Sequence, residues 1–408
     1  MPHSEVARKE FTVGTHRLIE PGATLERAKG LFPHFGITRV ANLTGLDRIG
    51  IPVVMVCRPN ARSSAVFHGK GIDLPTAKAS GVMEAIETWH GEHADLPLRF
   101  GSVDELRARL ELCNVEALPR QANAGFDRAA PLLWTQGRNL VTDLPVWVPF
   151  ELVHANASVA APQSSGSFAA TTNGLASGNH ILEASSHALC EVIERDATSL
   201  WRRSPAREQD ARRVDPSSVD DPACRTLLEC YDAASIDVGI WEITTDIGVA
   251  SFQCLIVDRT EPLGHIGTGA GCHPARAIAL TRALTEAAQT RMTYILGSRE
   301  DIGRADYAHD ALSGRNGAAR EMIRRSAGHR SFGLAPDHSF EDFDAEMRWL
   351  SSRLGEAGFG EVIVVDLTQS ALAVPVVRVL VPGLEGSDRH PSYAAGPRAR
   401  TAAQRRPS

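Results

Sequence analysis

The sequence predicts a fold of the α/β class in its mixed α+β form, and three observations support it. Short runs rich in β-branched residues alternate with long alanine-rich segments whose apolar residues recur at helical spacing. Several of the β-runs follow one another without an intervening helix, which is typical of antiparallel pairs. Glycine and proline separate the runs, as expected at turns between elements.

The first part of the chain supplies two strands and a helix. We expect a buried strand in "IPVVMVCRP" (51–59) and a second strand in "SAVFHGKG" (64–71), which ends in a glycine turn. Pro75 stands near the start of the helix that follows, because proline favours the first helical turn. Two further patterns are a surface helix in "VDELRARLEL" (103–112) and two strands with a polar turn in "LLWTQGRNLVTDLPVWVP" (132–149).

The second part repeats the alternation of helices with strands. The predicted elements are a helix in "ILEASSHALCEVIERDATSLW" (181–201), a strand pair in 235–259, a glycine loop that leads into a long helix in "GTGAGCHPARAIALTRALTEAAQTRM" (267–292), a helix in 342–354, and strands in 361–367 and 375–382. Residues 157–179 are rich in Ser, Gly, Ala and Thr, so they form either a flexible loop or a backbone-rich ligand loop.

Composition excludes some classes of function. The chain has 408 residues, 43% of them hydrophobic and 23% charged, which allows a large core. A net charge of -6 gives no reason to expect nucleic-acid binding. No apolar run is long enough to span a membrane and no signal peptide is visible, so we expect a cytoplasmic protein. The seven cysteines are scattered without a CxxC pair and are interpreted as free thiols.

The predicted domain organisation has three parts without a sharp boundary. Residues 1–36 form an irregular N-terminal segment with a short helix candidate at 24–31. Residues 37–386 form one mixed α/β domain. Residues 387–408, with the basic sequence "GPRARTAAQRRPS", form a disordered tail.

Two glutamates in "SGVMEAIETW" raise the first question about chemistry. On a helix, Ser80, Glu84 and Glu87 share one face, while apolar residues cover much of the rest. The same spacing recurs in His187, Glu191 and Glu194, with Glu183 two turns earlier, and in Arg282, Glu286 and Gln289. One such stripe is typical of a solvated face, but three apolar-flanked stripes indicate that the helices converge.

Six converging carboxylates need positive charge, because buried like charges repel one another or take up protons. Oxygen ligands favour Mg²⁺, Ca²⁺ or Mn²⁺ over zinc, and Mg²⁺ commonly takes phosphate oxygens as further ligands. Lys70, Arg195 and Arg282 are candidate phosphate contacts. No P-loop is present, and "GTGAGC" lacks the context of a dinucleotide fingerprint. His187 and His273 are interpreted as core or capping residues rather than ligands.

At these residues the sequence resembles the YcaO family of ATP-dependent enzymes that modify peptide backbones. Its signature patterns are SxxxExxE, ExxER and RxxxExxQ, and they occur here in order as "SGVMEAIE", "EVIER" and "RALTEAAQ". The resemblance covers about residues 36–385 and implies a YcaO-type domain with mixed sheets and an ATP/Mg site lined by three carboxylate-bearing helices. The Mg²⁺ ligands that it implies are Glu84, Glu87, Glu183, Glu191, Glu194 and Glu286. The ATP contacts that it implies are Ser80, Asn179, Arg195, Arg282, Gln289 and Lys70, and Arg39 is a weaker candidate. The resemblance leaves the adenine pocket and the catalytic base open.

The resemblance also implies a reaction. A nucleophile adds to a peptide amide carbonyl, and the oxygen is phosphorylated by ATP and leaves as phosphate. A neighbouring side chain as nucleophile gives an azoline, and external sulfide gives a thioamide. The chain lacks the PxPxP tail of azoline-forming members and looks most like members paired with a TfuA-type partner, so we expect thioamide formation with that partner, a separate sulfur donor and, by family habit, a homodimer.

Other functions remain open at this point. They are an azoline-forming cyclodehydratase, an accessory factor in ribosomal-protein methylthiolation, and a non-catalytic peptide-binding subunit. A multi-metal hydrolase without nucleotide would explain the carboxylates but not Arg195 and Arg282.

Overall fold

The computed structural model describes residues 6–122, 124–158, 164–168, 171–298, 302–325, 329–387 and 393–404. The helices are α1 (Pro21–Lys29), α2 (Phe32–Phe35), α3 (Leu74–Glu92), α4 (Val103–Leu106), α5 (Ile181–Arg203), α6 (Ala206–Ala211), α7 (Pro222–Ala233), α8 (Arg276–Leu296), α9 (His309–Arg325), α10 (Phe343–Glu356) and α11 (Pro397–Gln404). The strands are β1 (Arg39–Asn42), β2 (Val53–Cys57), β3 (Val66–Lys70), β4 (Leu98–Gly101), β5 (Leu132–Asn139), β6 (Leu144–Pro149), β7 (Leu175–Ser177), β8 (Ile236–Glu242), β9 (Ser251–Asp258), β10 (Gly267–Cys272), β11 (Ile363–Asp366) and β12 (Val376–Leu380).

These strands form three antiparallel sheets, which confirms the mixed α+β prediction. Two sheets have three strands each, in the orders β1-β2-β3 and β10-β9-β8. The third has six strands, in the order β4-β5-β11-β12-β7, with β6 paired to β5. Long helices α3, α5 and α8 lie against these sheets, and none of the helices in the described ranges is long and apolar enough to cross a membrane.

The two three-stranded sheets are each followed by a helix in the same relation. A Cβ atom built on Gly69 of β3 would lie 2.0 Å from the carbonyl oxygen of Ala77 on α3. A Cβ atom on Gly271 of β10 would lie 2.0 Å from the carbonyl oxygen of Ala279 on α8. From each glycine the chain then has the same spacing to the polar stripe, Ser80, Glu84 and Glu87 in one copy and Arg282, Glu286 and Gln289 in the other. The fold thus presents two equivalent stripes from two equivalent units.

The glycine-rich segment at 267–272 is a strand, so the prediction of a glycine loop there was wrong. Gly267, Gly269 and Gly271 alternate along β10 and face α8, where a side chain would collide with backbone carbonyls of the helix. Glycine is required at these positions because the helix backbone lies directly on the strand. The alternating glycines of β10 therefore allow α8 to pack directly on the strand.

Helix α5 is placed by an apolar core on its other faces. Leu189, Val192 and Ile193 of α5 pack in one cluster with Val377 and Val379 of β12. This packing fixes the rotation of α5, so that its acidic stripe faces the other two motif helices.

Two predicted elements differ from the structure. The surface helix expected in 103–112 ends at Leu106, because Leu112 is buried and forms a bridge with Trp147. The tail expected to be disordered contains α11. Arg398 of α11 binds the buried carboxylate of Asp196 at 2.9 Å, and this ion pair holds the tail on α5.

Candidate active site

The structure brings the acidic stripes of three helices together. Ser80, Glu84 and Glu87 lie on α3, Glu183, Glu191, Glu194 and Arg195 on α5, and Arg282, Glu286 and Gln289 on α8. Burial, together with the carboxylates of Glu84 and Glu191, raises the pKa of Glu87 well above its ordinary value. Burial and the carboxylate of Glu286 raise the pKa of Glu194 to about 7. Because these effects act between helices, α5 faces both α3 and α8 across one shared space.

Strand β7 anchors one of these carboxylates. The backbone N–H of Ser177 donates to Oε2 of Glu87 at 3.0 Å, and the Ser177 hydroxyl lies 3.1 Å from the same oxygen. These contacts favour the ionised form of Glu87 and partly oppose the effect of burial. They hold the side chain in one orientation.

The positively charged side chains of Lys70 and Arg195 lie among the carboxylates. The ammonium of Lys70, at the end of β3, is 2.6 Å from Oε2 of Glu286. The guanidinium of Arg195 is 3.3 Å from Oε1 of Glu191 and 3.8 Å from Oε1 of Glu194. Burial acts to lower the pKa of Arg195, but the carboxylates of Glu191 and Glu194 outweigh it and raise the pKa.

The N-terminal segment completes one side of the site, which the sequence did not reveal. The backbone N–H of Leu18 donates to Oε2 of Glu183 at 2.9 Å, and Arg17 lies 3.8 Å from Oε1. Asn179 donates to the same carboxylate at 3.2 Å and accepts from the hydroxyl of Thr24 at 3.1 Å. Residues 17–24 of the N-terminal segment therefore belong to the site rather than flank it.

The remaining predicted contacts occupy the edges of the cluster. Arg282 donates to the carbonyl oxygen of Cys272 at 3.0 Å, and Gln289 donates to the carbonyl oxygen of His68 at 2.7 Å. Ser80 is half-buried one turn before the first acidic residue of α3. Arg39 is exposed at the start of β1, and no described contact connects it to the carboxylates. His187 is half-buried, and burial followed by the nearby Arg282 lowers its pKa well below its ordinary value.

The residues present fit a hard divalent cation. Burial first, and neighbouring carboxylates second, raise the pKa of Glu87 and Glu194, so the ionised forms of both side chains are costly within the chain. A divalent cation would favour the ionised forms, and an all-oxygen donor set suits Mg²⁺. Arg195 and Lys70 lie beside this set, where charged N–H groups can bind phosphate oxygens.

A cavity beside this cluster reveals further polar residues. It is lined by Arg195, Thr198, Arg202, Gln253, Gly269, Ala270, Glu286 and Ser387. The hydroxyl of Thr198 and Oε1 of Gln253 are buried and have no hydrogen-bond partner among the described residues. Each of these two residues has a signal in the sequence. Thr198 continues the polar stripe of α5 one turn beyond Glu194. Gln253 is a polar residue in the wholly buried strand β9.

A second group of possible ligands lies close by, formed by His16, His273 and Glu346, whose ligand atoms all lie within 4.8 Å of one another. The ammonium of Lys9 is 2.5 Å from Oε2 of Glu346 and already neutralises that carboxylate. Burial followed by Lys9 lowers the pKa of His16 to about 4, and burial followed by Arg282 lowers that of His273 well below its ordinary value. This positive environment opposes a metal ion, in agreement with the interpretation of His273 as a core residue.

Solved structures share this fold. The YcaO protein of Methanopyrus kandleri, bound with AMPPCP and Mg²⁺, matches with a TM-score of 0.72 and 23% identity over 96% of this chain and 99% of that chain. A heterocyclase in complex with substrate and cofactor matches with a TM-score of 0.76 and 21% identity over 94% of this chain. This chain spans about half of that heterocyclase, 54% of its length.

Relatives and the family model agree with the structures. A protein of Rhizobium leguminosarum bv. trifolii, described as lying in the tfuA 3′ region, is 35% identical over 90% of this chain and 88% of its own length. A protein of Methanothermobacter thermautotrophicus is 36% identical over 90% of this chain and 94% of its own length. The family model described as "YcaO cyclodehydratase", binding ATP and Mg²⁺, matches residues 68–385 and confirms the predicted cofactors. This chain belongs to the YcaO family.

Proposed function

We propose that this protein uses ATP and Mg²⁺ to activate a backbone amide of a peptide or protein by phosphorylating its oxygen, and that the product is a thioamide formed with external sulfide. The observation that carries the proposal is the cluster in which glutamates of α3, α5 and α8 face one another beside Lys70 and Arg195. The chemistry that ATP supplies is the conversion of the amide oxygen into a phosphate leaving group.

The residues of the chain would bind and orient the reactants. Glu84, Glu87, Glu183, Glu191, Glu194 and Glu286 would hold Mg²⁺, and Ser80, Asn179, Arg195, Arg282, Gln289 and Lys70 would contact ATP. Ser177 fixes the orientation of Glu87, and the N-terminal segment fixes that of Glu183. Because phosphoryl transfer depends mainly on positioning and charge stabilisation, such a preformed arrangement supplies what the reaction needs.

Four of the seven cysteines are unsuited to carrying sulfur. Burial raises the pKa of Cys113, Cys224 and Cys272 above the ordinary value of a thiol, and burial raises that of Cys254 to about 12. These thiols remain protonated and are poor nucleophiles. The proposal takes the sulfur from another protein or from sulfide. The relative in the tfuA 3′ region favours a TfuA-type partner in that delivery, and a homodimer remains part of the proposal.

Azoline formation by cyclodehydration is the second candidate. The likeness to a heterocyclase favours it, although at 21% identity that likeness concerns the fold. The relative in the tfuA 3′ region favours the thioamide product over the azoline.

The test is reconstitution with a TfuA-type protein, sulfide, Mg²⁺-ATP and peptides encoded beside the gene, followed by mass spectrometry. We expect a mass gain that matches the exchange of one oxygen for sulfur, with consumption of ATP. A loss of water would support the azoline product instead. The matched control is the double variant Glu84→Gln, Glu191→Gln, and ATP binding that survives unchanged in it would contradict the site.

A further inference from the structure

One buried arginine of the large sheet has too few partners. Arg378 lies in the middle of β12 and is 1% exposed. Its Nη2 donates to the carbonyl oxygen of Thr171 at 2.5 Å. Its Nε and Nη1 have no hydrogen-bond partner in the part of the chain that the structure describes. Burial lowers its pKa to about 10, while the carboxylate of Glu191 acts in the opposite direction.

This guanidinium opens onto a cavity. The cavity is lined by Pro119, Leu152, Thr171, Asn173, Arg378, Leu380, Gly386, Ser387 and Tyr393. Oδ1 of Asn173 is also buried and has no hydrogen-bond partner within the described ranges. The lining therefore combines Arg378 and Asn173 with the hydroxyl groups of Thr171, Ser387 and Tyr393 and with apolar residues, Pro119, Leu152 and Leu380.

Buried polar atoms without hydrogen-bond partners, as on Arg378 and Asn173, do not stabilise the protein in the absence of a ligand. A buried charged group with unmade hydrogen bonds is destabilising, and an apolar side chain of similar shape would do better. Arg378 and Asn173 thus fit a ligand that brings an acceptor and a donor into the cavity.

The peptide amide has this pair of groups, a carbonyl oxygen that accepts and an N–H that donates. We propose that this cavity binds the target amide of the substrate, with the carbonyl oxygen on the guanidinium of Arg378 and the amide N–H on Oδ1 of Asn173. The proposal rests on the proposed function and names the place where its substrate sits.

The position suits the chemistry. Ser387 lines both this cavity and the one beside Arg195 and Glu286, so the two cavities are neighbours. When a nucleophile adds its electron pair to the amide carbon, the π pair of the C=O bond moves to the oxygen, which becomes negative. A desolvated guanidinium at that oxygen stabilises the charge more than it stabilises the neutral amide.

The first test is Arg378→Met in the reconstituted system. We expect a fall of at least about a hundredfold in the modification rate, as for the removal of one oxyanion donor, with the affinity for Mg²⁺-ATP within about twofold of wild type. We also expect a melting temperature at or above that of wild type, because an incompletely partnered charge is removed. A parallel loss of ATP affinity would instead make Arg378 a nucleotide contact and overturn the proposal, as would full modification activity.

Arg213→Met is the matched control. Arg213 is also a buried arginine, and its Nε has no hydrogen-bond partner among the described residues, but Nη2 donates to the carbonyl oxygen of Val238 at 3.0 Å, Nη1 donates to that of Ile240 at 3.5 Å, and the guanidinium lies over the ring of Trp241. We expect this variant to lower the melting temperature and to leave the modification rate of the folded protein unchanged. If it reduced modification as much as Arg378→Met does, the effect of the latter would be a general consequence of arginine loss, and the proposal would fail.

A binding experiment separates this proposal from the proposed function. The probe is the diamide N-acetylglycine N′-methylamide, observed by saturation-transfer NMR in the presence of Mg²⁺ and a non-hydrolysable ATP analogue. Binding to wild type that is lost in both Arg378→Met and Asn173→Leu supports the amide site even if no peptide is modified. Equal binding to all three proteins overturns the site, whatever the reaction turns out to be.

Discussion

Helix α3 carries two glutamates whose environments differ in a way that separates structure from function. Glu92, near its end, is fully partnered: Oε2 lies 2.7 Å from Nη2 of Arg58, and Oε1 accepts from the backbone N–H of Ser63 at 3.0 Å. Glu87, five residues earlier in the chain, shares its space with other carboxylates, and its pKa is raised. The charge of the Glu92 carboxylate is neutralised within the chain. That of Glu87 is not, and a bound cation would neutralise it.

The partner of Glu92 strengthens the contrast. Arg58 is 2% exposed and also donates to the carbonyl oxygens of Phe35 at 2.9 Å and Ala85 at 3.1 Å. A buried pair with every group satisfied has a structural role. A cluster with unbalanced charge is maintained at the expense of stability, which is typical of functional sites.

The largest expected effect is on the balanced pair. Arg58→Met leaves the Glu92 carboxylate buried without its cation, so we expect a loss of about 3–5 kcal/mol in the free energy of unfolding, measured by urea denaturation. The double variant Arg58→Met, Glu92→Met removes both charges and should recover at least half of that loss. If the single and double variants were equally unstable, the ion pair would not be the reason.

In the carboxylate cluster of α3, α5 and α8, the loss of one charged side chain should lower the affinity for Mg²⁺-ATP rather than the stability. Glu194→Gln removes a repelled charge, so we expect no loss of stability without ligand and a fall in Mg²⁺-ATP affinity of at least about tenfold, or about 1.4 kcal/mol. Calorimetric titration measures the affinity, and denaturation measures the stability. A variant that lost stability but kept its affinity would place Glu194 with the structural pairs.

How far the sequence predicted this site depends on how regular each part is. The helical repeat placed Glu84, Glu191 and Glu286 on stripes with apolar flanks, and their convergence followed from the cost of leaving them unbalanced. Arg17 and Leu18 lie in an irregular segment, and no periodicity relates them to Glu183, although the fold brings them together. Long-range contacts of irregular backbone depend on the whole fold and leave no local pattern.

The same reason explains the errors at β10 and in the tail. Glycine at alternate positions of 267–271 is compatible with a phosphate loop or with a strand beneath a helix, and only the position of α8 decides between them. The tail is basic and polar, which favours disorder, but Arg398 lies beside Asp196 and Asp246 in the folded protein. Ion pairs with residues that are distant in the sequence therefore order a segment whose own composition predicts disorder.

A smaller effect concerns protons. The pKa of Glu194 is raised to about 7 by burial and by Glu286, so near pH 7 this carboxyl is partly protonated without ligand. A bound cation favours the ionised form, and we therefore expect proton release near pH 7 when Mg²⁺-ATP binds, of which Glu194 contributes up to about half a proton. The contribution of Glu194 should shrink as the pH rises above its raised pKa, while Glu87, whose pKa is also raised, contributes separately. Calorimetry in buffers of different ionisation enthalpy measures the release, and Glu194→Gln should lower it by the contribution of Glu194; a release that this variant leaves unchanged would assign the proton to other groups.

The smallest effect is expected where charges are paired but exposed. Lys29 lies 2.5 Å from Glu26, about as close as any pair in the protein's interior, yet its side chain is 52% exposed and that of Glu26 is 68% exposed. Water screens the attraction, so we expect Lys29→Ala to change the free energy of unfolding by less than about 0.5 kcal/mol, again by urea denaturation. A loss comparable with that of Arg58→Met would show that distance rather than burial sets the strength of these pairs. The contrast between Glu87 and Glu92 would then lose its physical basis, because the like charges beside Glu87 and the arginine beside Glu92 act strongly only where burial excludes water.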